Sequence, residues 1–135
     1  MAHIQKYYIS DILKDICNRM GDVTGAVFPD HRPSVKNEQM SELMVISIPS
    51  VLEEQNAWQK GLLRIELMVH DKKGGYADIS RLDEMLKAVT EKFPIVSPRF
   101  SVTKPRLIMR GSDGLGFTIW NVQAKLVVNT TDNYQ

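Results

Sequence analysis

Apolar and polar residues alternate through Leu62-Leu63-Arg64-Ile65-Glu66-Leu67-Met68-Val69-His70. A period of two predicts a strand with Leu63, Ile65, Leu67 and Val69 on one face and Arg64, Glu66 and His70 on the other. After the polar, glycine-containing break Asp71-Lys72-Lys73-Gly74-Gly75, apolar residues recur at Ile79, Leu82, Leu86, Val89 and Phe93. That is the spacing of one helix stripe, and Pro94 ends it. The Gly61 to Pro94 stretch therefore reads as a strand feeding a helix whose apolar sides meet. Its remaining outward side is the place to look for function.

The rest of the chain is arranged around this unit. Ile9, Ile12, Leu13, Ile16, Cys17 and Met20 form one side of a leading amphipathic helix, with Gly21 positioned as a left-handed C-terminal residue. Val23 to Met40, with Pro29 and Pro33, reads as an irregular connector in which Phe28 plugs the core edge or, with Arg32, meets a partner. Leu43 to Ile48 is a β-branched apolar strand closed by Pro49. Ser50 to Lys60 exceeds an ordinary hairpin loop. It either extends its flanking strands into an arm that offers Trp58 to a partner or folds Trp58 back onto the sheet. Arg106 to Arg110 reads as a short strand, Gly111 to Gly116 as a hairpin turn, and Thr118 to Val128 as a long alternating strand. The tail from Asn129 is polar. The predicted fold is a single α+β domain over residues 1-135. Its order is α-β-β-α-β-β, with a mixed or antiparallel four-stranded sheet and two helices packed on one face.

Composition narrows the function classes. Lys and Arg number 17 against 16 Asp and Glu, a formal net charge of +1, so no global field draws in a nucleic acid or an anionic membrane. A chain of 135 residues buries enough surface to need no metal or disulfide staple. The single Cys17 cannot pair within the chain and reads as core filler in a reduced compartment. No apolar leader or membrane-length run is present, which points to a protein made in the cytosol.

Catalytic chemistry finds no foothold. Gly111, Gly114 and Gly116 match neither phosphate-loop spacing and precede a strand rather than a helix. His3, His31 and His70 are scattered, so neither a metal nor a cofactor site is expected. His70 and Asp71 are adjacent on a strand and point apart. Ser47, Ser80 and Ser112 lack the setting of an activated nucleophile. Arg99, Lys104, Arg106 and Arg110 gather in one region, either as a phosphate-contacting strip or as charges that guard a sheet edge.

The order of these elements resembles the tail-terminator and tail-completion proteins of long-tailed bacteriophages and prophages. The resemblance runs from about Ile9 to Val128 and includes the Val27-Phe28-Pro29 and Arg32-Pro33 connector, the strand ending at Pro49, the strand-helix unit and the closing hairpin. It implies a structural protein that assembles with itself into a ring, commonly a hexamer, on the tail tube. Such a ring halts tube growth and offers a surface to the head connector. Assembly would take place in the host bacterial cytoplasm and end in the virion tail or neck, with no membrane and at most incidental DNA contact. On this resemblance Arg64, Glu66, His70 and the Val51 to Lys60 loop, which carries Trp58, are the subunit or tube contacts, beside Phe28 and Arg32 of the connector as further candidates for a partner surface. The competing expectation is a small oligomeric α+β ligand-binding protein or enzyme with sites between subunits, for which His70 and Glu66 are the candidates.

Overall fold

The computed structural model describes residues 9–30, 41–49, 53–54 and 58–129. Helix α1 (Ile9–Arg19) leads into β1 (Val27–Pro29), β2 (Glu42–Ser47), β3 (Glu53–Glu54) and β4 (Trp58–His70). Helix α2 (Ile79–Thr90) follows, then β5 (Ile95–Val96), β6 (Phe100–Ser112) and β7 (Phe117–Asn129). Six strands stand side by side in the order β1-β2-β4-β7-β6-β5, and β3 pairs with β4. The β1-β2 pair is parallel and every other pair is antiparallel. The sheet is mixed and curls into a half-barrel.

The four-stranded α-β-β-α-β-β arrangement expected from sequence is thus corrected. The missed strands are short or carry a strand-breaking residue. Three residues of β1 are too few to display a period, and they pair only because β2 runs beside them. In β6, Pro105 interrupts the pattern, so only Arg106 to Arg110 looks like a strand from sequence. The sheet accommodates Pro105 through a register shift between Thr103 and Arg106, with Lys104 at φ 56°. A bulge absorbs a residue that cannot donate to the ladder and bends the strand. A second shift between Met109 and Gly111 adds to that bend.

The long stretch before Lys60 is in part a strand pair. Glu53 and Glu54 pair with Lys60 and Gln59. Because β7 lines the other edge of β4 from end to end, β2 and β3 must share the remaining edge.

The main core lies between the helices and one face of the sheet. Alternation directs Met44 and Ile46 of β2, Leu63, Ile65, Leu67 and Val69 of β4, and Trp120, Val122, Ala124, Leu126 and Val128 of β7 toward it. Ile12, Leu13 and Ile16 of α1 and Leu82, Met85 and Val89 of α2 complete the same cluster. Met85, which the sequence pattern left out of the stripe, is buried beside Leu82 and Val89, whereas Ile79, the first residue of α2, is half exposed. Gly21 does not adopt the left-handed conformation expected of it. The chain leaves α1 through further tight turns, closed by the Gly21 N–H on the Asn18 carbonyl and the Val23 N–H on the Met20 carbonyl.

Polar contacts fix the helices on this face. Asp78 caps α2 by accepting from the Arg81 backbone N–H at 3.2 Å. The Arg81 guanidinium reaches Glu42 at the start of β2 with two 2.7 Å bonds and also donates to the Val23 carbonyl. Arg81 holds the Glu42 carboxyl below its usual range, and a hydrogen bond from the Thr24 hydroxyl acts in the same direction. This bidentate pair ties α2, β2 and the segment leaving α1 to one point.

Candidate functional site

The opposite face of the sheet has two zones. Leu43, Val45, Met68 and Phe117 form a small second core, with Ala26, Phe28 and Ile119 packed against it. Beyond that core the face is polar, and the strand registers fix its rows. Ser47 stands opposite Arg64, Arg64 opposite Gln123, and Gln123 opposite Arg106. In the neighbouring row Val45 faces Glu66, Glu66 faces Asn121, and Asn121 faces Ile108. Directly opposed residues on one face lie within side-chain reach, about 4.5–5.5 Å between Cβ atoms. Four strands therefore place Ser47, Arg64, Glu66, Asn121, Gln123 and Arg106 on one surface.

This surface contains polar groups that the described residues do not satisfy. Ser47 is 4% exposed and Asn121 1% exposed. The Ser47 Oγ, the Asn121 Oδ1 and the Arg64 Nε are buried and have no hydrogen-bond partner among the described residues. Leaving such groups unmet costs about 1–3 kcal/mol each, more for a charged one. Among the described residues no ion pair involves Lys60, Arg64, Arg106 or Lys125, which all lie on this face. The arrangement offers two donors side by side, a guanidinium N–H and a hydroxyl, with a carboxamide acceptor one row away.

Arg64 and Glu66, expected as outward residues of the central strand, stand on this face as neighbours along β4. His70 lies further along the strand, separated from Glu66 by the buried Met68. Its exposed ring meets Phe117 edge-on, with centroids 5.2 Å apart, and Nδ1 donates to the Asp71 carbonyl at 2.9 Å. Asp71 turns the other way, its Oδ1 accepting from the Thr118 hydroxyl at 2.6 Å. The two side chains thus have separate partners, and Glu66 and His70 do not converge on one point. Phe28 packs on the second core and is half-buried there. Trp58 opens β4 in register with Asn129, while its indole lies outside the described residues, as does Arg32.

Ser47, Asn121 and Gln123 were not singled out as site residues from sequence. The signal for the last two was the polar alternation of Asn121, Gln123 and Lys125 along β7. For Ser47 it was one hydroxyl ending an otherwise apolar strand. Elsewhere, burial pushes the Cys17 thiol up, which disfavours the reactive thiolate. The groove beside α1 is lined by Ile9, Ser10, Leu13, Lys14, Cys17, Asn18, Pro29 and Asp30. No three His, Cys, Asp or Glu side chains cluster to hold a metal among the described residues, and no helix there is long and apolar enough to cross a membrane.

No known family model matches this chain, and no curated protein matches it.

Proposed function

We propose that this chain is a ring-forming structural protein of the tail-terminator or neck type from a long-tailed phage or prophage. The observation that carries the reading is the asymmetry of the sheet. Both helices pack on one face, while the other presents buried polar groups without a partner among the described residues. The β1 and β5-β6 edges lie at opposite sides of the sheet, which suits head-to-tail contacts between copies. A repeated contact of this kind closes into a ring when its rotation permits, and a hexamer is the ring we propose. The ring would cap the tail tube and face the head connector, after assembly in the host cytoplasm and without a cofactor.

Light scattering on the size-separated protein, with electron microscopy of the same fractions, tests the assembly. Closed rings that bind purified tail tubes support the reading. A monomer at all accessible concentrations that leaves tubes uncapped would sink it.

A further inference from the structure

On the assembly reading above, on which this inference rests, copies of the chain must meet through complementary surfaces. We infer that β6 of one copy, around Leu107, Met109 and Arg110, docks on the start of α2 of a second copy, around Ile79 and Asp83.

Both surfaces are accessible. On the outer edge of β6, β5 pairs with Ser101 and Val102 only, and no other described strand lies there. Leu107 and Met109 stand opposite Val122 and Trp120, so they share the face that carries the main core. Met109 is nevertheless 64% exposed and Leu107 is exposed beside it, which shows that the helices do not cover this part of the sheet. Cations flank the two, because β6 contains Lys104, Arg106 and Arg110 and no acidic residue. On the other surface Tyr76, 73% exposed, and the half-exposed Ile79 supply the apolar part. Asp83 follows Ile79 by one turn and so neighbours it on the helix. Glu84 and the C-cap residue Glu91 add exposed carboxylates, against Lys87. Among the described residues, Lys104, Arg106, Arg110, Asp83 and Glu91 take part in no ion pair.

The choice of occupant follows from these charges and from the irregularity of β6. Two β6 edges are poorly suited to pair with each other, because Lys104, Arg106 and Arg110 would bring like charges together. Pro105 and the two register shifts interrupt the ladder for any added strand, so the contact is made by side chains. An exposed Met and Leu among arginines have the composition of a protein interface, and the start of α2 offers apolar surface with the opposite charge. A nucleic acid would meet the cations but leave Leu107 and Met109 without an apolar partner. The β1 edge does not supply the second half of the contact, since it is three residues long and Asp30 beyond it already has a partner. At a net charge of +1, copies approach without long-range repulsion, and the local patches of opposite sign orient them.

The test measures mass against concentration by light scattering for the wild type, Arg110→Glu and Asp83→Lys, with circular dichroism to confirm that each is folded. Each variant alone is expected to weaken self-association about a hundredfold, because it sets like charges across the contact. Mixed in equal amounts, the two are expected to assemble as the wild type does, since every contact between unlike chains then joins opposite charges. Met109→Ser should weaken self-association about tenfold by removing apolar surface from the contact. Rings that persist in both charge variants overturn this inference and leave the assembly reading standing. Variants that lose assembly but do not restore it when mixed also overturn the inference. A wild type that forms only dimers, lost in each variant and restored in the mixture, supports this contact and removes the ring, whereas a wild type that stays monomeric removes both. A short duplex DNA is titrated in parallel. DNA binding that Arg110→Glu abolishes while its assembly is unchanged overturns the inference in favour of a nucleic-acid contact.

Discussion

The two faces of this sheet are made from the same strands, often from consecutive residues, yet they differ in how completely they are satisfied. On the helix face, Leu63, Ile65 and Leu67 are fully buried against α2 and their neighbours in β7. On the other, Arg64 and Glu66 alternate with them and, together with Ser47 and Asn121, reach a partly covered surface with donors and acceptors left over. The first face is explained by folding alone, because hydrophobic burial and close packing stabilise it. The second is not, since unmet buried polar groups oppose folding. The comparison shows how a fully packed face and a partly polar face can share one strand, separated by a period of two.

The comparison predicts unequal responses to substitution. The largest effect is expected for Leu67→Ala on the helix face, about 3 kcal/mol lost in chemical denaturation, from the transfer of the side chain and the cavity it leaves. A loss below about 1 kcal/mol would mean that this face is not the dominant core. Met68→Ala, on the opposite side of the same strand and 3% exposed, should lose about 2 kcal/mol, because its cluster is smaller and its surroundings can close in more easily. Equal losses at the two positions would erase the distinction between main and second core.

Glu42→Gln should lose about 1.5–3 kcal/mol near neutral pH by weakening the bidentate Arg81 contact. The folded state holds the Glu42 carboxyl below its ordinary value, chiefly through Arg81. The stability it contributes is therefore present above the ordinary carboxylate pKa of about 4.3 and is lost as pH falls through the lower folded value. Wild type and variant should converge in acid, and a gap that stays constant down to pH about 2 would show that the charge is not the cause. Ser47→Ala should change stability least, within about 1 kcal/mol and in the stabilising direction, because it removes a hydroxyl with no partner. A loss above about 1 kcal/mol would show that the hydroxyl is satisfied within the fold and is not available to a neighbour.

Parts of the molecule with a long, uninterrupted pattern were legible in advance. The alternation of Leu62 to His70 and of Thr118 to Val128 located the two central strands and divided their faces, because one side of each must be dry. The stripe through Leu82 and Val89 located α2. Segments whose pairing depends on a distant neighbour were not legible. Val27–Pro29 and Ile95–Val96 are strands only because β2 and β6 lie beside them. The continuation of β6 through Pro105 depends on a bulge whose partner is β7. At the candidate site, Arg64 and Glu66 could be assigned to the outward face from spacing alone. Ser47, Asn121, Gln123 and Arg106 join them through registers that bring together residues far apart in the chain.

The sequence by itself determined which residues must be buried and which side of each central strand they occupy, because alternation and helical spacing are local properties of the backbone. Only the tertiary structure decided that the sheet has six strands in line and that a hydroxyl, a guanidinium and a carboxamide come together on the face away from the helices, without partners among the described residues. The physical reason is that strand pairing is non-local. Which strands meet, and in what register, depends on the packing of the whole chain, and a shift of one residue would turn Arg64 into the core and Leu63 out of it.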